Sequence, residues 1–250
     1  MWWVYALAGA TIGILTGLFG VGGSSIATPL LSILGVPPLL AVASPLPATI
    51  PAALAAVAPY WRRGEARPRA AGWTLLGAVP ATVGGALLSQ VVGGQSLLVA
   101  SGVVLVIVGW RVLKPVSASA FLAGEARRQN RFLLVAASAG VGLFTGLLAN
   151  GGGFLLVPMY LLIFGLDMRT AAGTSLLVIS VLSLPTLAAH WALGHVDWSV
   201  AGAFALGAIP TSALSGQLAR HVPITALRRW FGGFLMFSGV AFTIYRFFTK

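Results

Sequence analysis

The sequence predicts an all-α polytopic membrane protein made of two inverted-topology repeats. Each repeat holds about four to five helical segments, with a glycine-rich break and a short half-helix. Three observations carry this. The 250 residues are 58% hydrophobic and 8% charged, with a mean hydropathy of +0.96, whereas a soluble domain carries roughly 25% charged residues. Several stretches of about 18 or more residues lack any charge, which is the length that spans a ~30 Å hydrocarbon core. The glycines and prolines of the first half recur in the second under one nearly constant offset. In lipid only helices and closed barrels satisfy their backbone, and no alternating barrel pattern is visible.

Taken in order, the first segment runs over residues 2–19, with no basic region before it, so it reads as a span and not a cleaved signal. Val21-Gly22-Gly23-Ser24-Ser25 then interrupts the apolar pattern, and a short helix follows to Gly35, before Pro37-Pro38. A third segment, 39–61, contains Pro45, Pro47, Pro51 and Pro59, so one straight helix is not expected there. The loop 62–69 carries four arginines and Glu65. Segments follow over 70–92 and 95–113, which closes a first repeat at 1–113. The stretch 114–130 is the long polar region and reads as a linker, leaving 131–250 as the second repeat.

The second repeat opens with a segment that ends in Asn150-Gly151-Gly152-Gly153, followed by Phe154-Leu155-Leu156-Val157-Pro158. Each glycine run precedes only about twelve residues of apolar helix, roughly 18 Å, too short to cross the core. Gly17 matches Gly146 and Pro29 matches Pro158 at an offset of 129; Gly35, Trp61, Gly64, Gly72, Gly77 and Pro80 match Gly165, Trp191, Gly194, Gly202, Gly207 and Pro210 at 130. Glycine and proline define backbone path, so their joint recurrence implies the same path twice. Duplication of this kind marks membrane carriers.

The basic residues relate the halves. If each half has an odd number of crossings, 13 of the 15 Lys and Arg residues fall on one side, and only Arg246 and Lys250 fall opposite. An even number spreads them more evenly. The positive-inside rule therefore selects inverted halves with a cytoplasmic linker. All eight tryptophans sit near segment ends, as interfacial anchors do. The net charge of +11 belongs to these loops and implies no nucleic-acid partner. With no cysteine and no cluster of His or acids, neither a metal site nor a cofactor is expected.

A break that opens a helix inside the membrane exposes helix N-termini, each worth roughly +0.5 charge with unpaired N–H groups, to an anion. No Lys or Arg lies centrally in a segment, so backbone N–H groups, hydroxyls and amides would hold the ligand. The candidate binding residues are Gly22, Gly23, Ser24, Ser25, Asn150, Gly151, Gly152 and Gly153. Ser44, Thr49, Thr174 and Ser175, on the following segments, could complete the cage. The bland alternatives are glycines that serve helix packing and hydroxyls bonded to their own helix carbonyls.

At these residues the chain resembles the TauE/SafE-type sulfite exporters, also called the toluene sulfonate uptake permease family. The paired motifs are GLFGVGGSSIATPLLSILG at Gly17–Gly35 and GLLANGGGFLLVPMYLLIFG at Gly146–Gly165. AAGTS at Ala171–Ser175, HWALGHVDW at His190–Trp198, and G-A-x-P at Gly77–Pro80 and Gly207–Pro210 also fit. The resemblance implies a multi-pass transporter in a prokaryotic plasma membrane, moving a small sulfur-containing anion such as sulfite or a sulfonate by alternating access. The first half departs from the second: Ala43-Ser44-Pro45 stands where the second has Gly173-Thr174-Ser175.

All four acids, Glu65, Glu125, Asp167 and Asp197, fall in loops or linker, so no intramembrane carboxylate is expected to carry a proton. His190 is the one histidine inside a segment; it reads as a possible proton carrier or as an interfacial structural residue. A rival reading makes Ser24 or Ser25 the nucleophile of an intramembrane hydrolase, with His190 as base; another is a non-transporting membrane scaffold. The anion, the direction, the coupling ion and the oligomeric state are not written in the sequence.

Overall fold

The computed structural model describes residues 2–22, 24–92, 94–114, 130–148, 153–192 and 194–248. These form eleven helices: α1 Trp2–Phe19, α2 Ser24–Ile33, α3 Pro38–Ala43, α4 Leu46–Arg62, α5 Pro68–Val92, α6 Gly94–Leu113, α7 Arg131–Leu148, α8 Gly153–Leu162, α9 Met168–Ala192, α10 Trp198–Leu218 and α11 Ile224–Phe248. No strand occurs among the described residues. Four stretches are long and apolar enough to cross a membrane: Trp2–Phe19, Leu40–Arg62, Met168–Ala192 and Trp198–Leu218. Most of the expected linker, 115–129, lies outside the described residues.

The proline-rich third segment is divided at Ser44-Pro45 into α3 and α4. Pro45 and Pro47 lack the N–H that an uninterrupted helix would use there. The chain bridges the gap with Ser44 N–H donating to the Leu40 carbonyl and Thr49 N–H to the Pro45 carbonyl, 2.8 and 3.0 Å.

Apolar side chains face outward as well as inward. Leu7, Leu76, Leu206 and Phe237 are all at least 60% exposed, as lipid-facing residues are and soluble surfaces are not. Trp61, Trp110, Trp191 and Trp198 are exposed near helix ends, the level of the headgroups. The inner core gathers around α8 and α9.

Helices approach closely where glycine removes the side chain, as membrane helices do in place of a hydrophobic drive. α1 lies on α10, α5 on α7, and α6 on α11. A methyl at Gly13 would strike Ala208, and one at Gly142 would strike Ala78. Gly207 meets Ala6 and Ala10, and Gly77 meets Val135 and Ala139. These are the same contacts twice, read at offsets of 129 and 130. In the third pair Gly109 faces Gly232 and Gly239 faces Gly102, so α6 and α11 run antiparallel.

The loops repeat too. Gly35 and Gly165, and Gly64 and Gly194, all have positive φ, at 86° and 58°, 70° and 71°. Glu65 N–H reaches the Tyr60 carbonyl and His195 N–H the His190 carbonyl, 2.9 and 3.0 Å, the left-handed helix stop that favours glycine.

The charges collect at one end. Arg63 pairs with Glu65 at 2.7 Å and donates to the Gly216 carbonyl at 3.3 Å. Arg169 lies 3.9 Å from Glu65 and donates to the carbonyls of Arg220 and Val222. Arg228 donates to the carbonyls of Val112 and Lys114, both at 2.8 Å. Arg169 stands in the first turn of α9, whereas Gly194 follows its last turn, about 36 Å along the axis. The loops around Gly64 and Gly194 therefore occupy opposite ends of the bundle.

Candidate functional site

The first break lies between Phe19, the last residue of α1, and Ser24, the first of α2. Gly20 turns the chain with a φ of 69°, and its Cα rests so close to the Ala172 backbone that a methyl group would collide. Only glycine suits both demands. Val21 and Gly22 are buried. The last carbonyls of a helix have no partner of their own. Here two hydroxyls from other helices take them. Tyr60 of α4, fully buried, donates to the Gly17 carbonyl at 2.7 Å, and Ser175 of α9 donates to the Gly20 carbonyl at 2.9 Å. The break is thus clamped by one residue from each half, with no charged group in the clamp.

The second break, with Asn150, Gly151 and Gly152, lies outside the described residues, as does Gly23 of the first. Gly153 begins α8. From Phe154 to Leu161 every residue of α8 is buried. A helix apolar on all sides and enclosed by protein can begin at membrane depth without exposing its end to lipid. The Tyr160 hydroxyl, 2.6 Å from that of Thr74, ties α8 to α5.

The remaining candidates divide by what their hydroxyls do. Thr49 donates to its own helix carbonyl, Pro45, at 3.0 Å. Thr174 donates to the Thr170 carbonyl and accepts from Arg67 N–H at 3.2 Å. Ser44 accepts from Asp197 N–H at 3.1 Å. Ser44 and Thr174 therefore hold interhelical loops, and Ser175 holds the break itself. Ser24 and Ser25 begin α2, at the helix terminus where a ligand would meet N–H groups.

His190 points elsewhere. Its Nδ1 lies 3.4 Å from Nδ1 of His195, beside the Trp191–Trp198 pair. It follows Ser175 by fifteen positions, about 22 Å along α9, so it stands well away from the Ser175–Gly20 contact. Asp197 caps α10: its carboxylate accepts from the Ser199 hydroxyl and from the N–H groups of Ser199 and Val200. The Ser199 hydroxyl and then Val200 N–H hold that carboxyl below its ordinary range, and burial opposes them weakly.

Two participants were not singled out from sequence. In the sequence Tyr60 counts only as the repeat counterpart of His190, 130 positions later. Glu65 read as one acid in an arginine loop, yet it is half-buried between Arg63 and Arg169 and links the two halves. Its position inside the loop's arginine cluster was the available signal.

The comparisons with known proteins agree with this architecture. A family profile described as "Sulfite exporter TauE/SafE" matches residues 5–242. A protein of Xylella fastidiosa (strain 9a5c), named "Probable membrane transporter protein", is 32% identical over 234 residues, covering 90% of this chain and 88% of that protein. The Bacillus subtilis (strain 168) protein named "Probable membrane transporter protein YjnA" is 24% identical over 249 residues, covering 94% and 96%. No solved structure matches the chain.

Proposed function

The chain belongs to the sulfite exporter TauE/SafE family, and on that premise we propose that it carries a small sulfur-containing anion, such as sulfite or a sulfonate, across the membrane. It is a multi-pass membrane transporter and not an enzyme. The finer reading is as follows. The anion sits near the midplane, against the N–H groups that open α2 and α8, with Gly22, Gly23, Ser24 and Ser25 on one side and Asn150, Gly151, Gly152 and Gly153 on the other. Ser44, Thr49, Thr174 and Ser175 shape this site from behind.

The observation that carries the proposal is the clamp on the first break. Tyr60 and Ser175 occupy the carbonyls at the end of α1. With these acceptors taken, the N–H groups that start α2 are left to define the polarity of the gap. Two helix N-termini supply roughly one positive charge without a fixed cation, which suits capture and release of a monoanion. The clamp also joins the halves, so rocking one against the other would open and close the site from alternate sides.

Two repeats of inverted topology form part of the proposal. It is supported by the antiparallel run of α6 and α11, which are repeat counterparts. Two equivalent helices run antiparallel only when the axis relating them is perpendicular to both. The gathering of basic residues at one end supports placing that end, and the linker, in the cytoplasm.

The test is thermal unfolding of the purified protein against sulfite, sulfonates, sulfate, thiosulfate and phosphate, paired with uptake into vesicles. A ligand at about 100 times its Kd should add about 2.7 kcal/mol. Stabilisation and uptake by a sulfur oxyanion are expected. Stabilisation by a neutral sugar or a dication, with none by any sulfur oxyanion, would overturn the assignment.

A further inference from the structure

A cavity of about 400 Å³ opens at the arginine-rich end, between the C-terminal turns of α4 and α10. Its polar wall is Arg62, Arg63, Gln217 and Arg220, and its floor is Ala55 and Ala58. Arg63 is fixed from behind: its guanidinium pairs with Glu65, donates to the Gly216 carbonyl, and lies 4.8 Å from the centre of the Tyr60 ring. The side chains of Arg62 and Arg220 make no ion pair among the described residues. Of the acids at this end, Glu65 is already shared between Arg63 and Arg169, and the Asp167 carboxylate accepts from the N–H groups of Arg169 and Thr170. The cavity therefore carries an excess of positive charge, from Arg62 and Arg220.

A second groove, of about 450 Å³, runs along the other flank of α10, against α1. It is lined mainly by apolar side chains, among them Ile14, Leu18, Leu214 and Leu218. Gln217 and Arg220 border both spaces. Leu214 and Leu218 are 64% and 58% exposed, facing the lipid side of the bundle. A charged pocket and an apolar trough thus share a rim, and the trough leads from that rim toward the middle of the helices.

We propose that this pair of spaces binds an anionic phospholipid, its phosphate held by Arg62, Arg63 and Arg220 and an acyl chain lying in the α1–α10 groove. The chemistry recognised is a phosphate oxyanion, which guanidinium groups bind in a planar, two-donor geometry. A free phosphate would use the first space only; the adjoining apolar trough is what selects a lipid. Basic pockets between membrane helices on the cytoplasmic side are suited to such headgroups. The site is also one-sided. The repeat counterparts of Arg62, Arg63 and Arg220 are Ala192, Leu193 and Gln90, none of them basic. The repeat therefore does not require arginine at these positions.

The experiment is native mass spectrometry and thermal unfolding of the full-length protein, offered phosphatidylglycerol, phosphatidylcholine or inorganic phosphate. Wild type should retain phosphatidylglycerol about tenfold or more over phosphatidylcholine, the scale of two basic contacts to a headgroup. The double variant Arg62→Gln/Arg220→Gln should remove that preference and leave phosphatidylcholine retention unchanged. Gln217→Glu, which adds a negative charge to the shared rim and leaves both arginines in place, should also reduce it, and it covers the case in which the double variant does not fold. Equal retention of the two lipids by wild type would overturn the proposal. So would a preference that survives Gln217→Glu, or displacement of the lipid by inorganic phosphate alone.

Discussion

The Thr174 hydroxyl accepts a hydrogen bond from the backbone N–H of Arg67 at 3.2 Å. Ser44 and Asp197 repeat the arrangement at 3.1 Å, each residue 130 positions from its counterpart. In both places a buried hydroxyl from one half, six residues after the start of α9 or α3, holds the loop that precedes a helix of the other half, α5 or α10. Each hydroxyl is buried and takes a loop N–H that precedes a helix and has no partner within it. Residues that read as ligands for an anion thus serve as fixings for the two loops.

Thr174→Val removes the acceptor and keeps the shape. It is expected to cost about 0.5–1.5 kcal/mol, the net contribution of the lost hydrogen bond, and Thr174→Ser should recover most of it. Thermal unfolding in detergent measures both. Equal stability of Thr174→Val and wild type would show that the loop N–H finds another partner.

Tyr60→Phe leaves the Gly17 carbonyl without its 2.7 Å donor. A loss of about 1–3 kcal/mol is expected, the cost of leaving a buried carbonyl unpaired. If the clamp shapes the site, anion-dependent stabilisation should fall further than this general loss explains. An unchanged ligand-induced shift would confine Tyr60 to a structural role.

Gly152→Leu should abolish anion-dependent stabilisation and uptake while the protein still inserts. Gly84→Leu is the control, because a side chain there meets open space. Undiminished uptake in Gly152→Leu would defeat the placement of the site at the breaks.

Asp197 gives a pH dependence of known sign. Its carboxyl is held below the ordinary value of about 3.9. A depressed folded-state pKa contributes stability that is present above the unfolded value and is lost as pH falls through the folded one. Asp197→Asn keeps a capping group without the charge. Wild type should be the more stable of the two at neutral pH, and the curves should converge below about pH 4. A gap independent of pH would mean that the charge contributes nothing.

Topology is open to labelling because the chain has no cysteine. A suitable pair is Arg69→Cys and Ser199→Cys, counterparts at an offset of 130 and both exposed. An impermeant maleimide added to intact cells should label Ser199→Cys and spare Arg69→Cys until the membrane is opened. Labelling of both from outside, or of neither, would mean parallel halves.

Composition and periodicity determined the class, since a chain with so little charge has no stable folded surface in water. Recurring glycines and prolines determined where the backbone turns, because Gly35, Gly64, Gly165 and Gly194 occupy a conformation that side chains disfavour. Those are local properties, and a sequence records local properties directly. What Ser44, Thr174, Ser175 and Tyr60 do was decided by the tertiary structure. A serine or threonine hydroxyl can bond its own helix, a ligand or a distant loop, and the choice depends on which unpaired backbone group the fold brings within about 3 Å. Ser175 finds the Gly20 carbonyl 155 residues away, and Tyr60 finds Gly17 43 residues away. Glu65 was equally illegible as a link between halves, because only packing places Arg169 beside it. Backbone-defining residues carry their geometry with them, whereas polar side chains acquire their roles from partners that only the folded chain supplies.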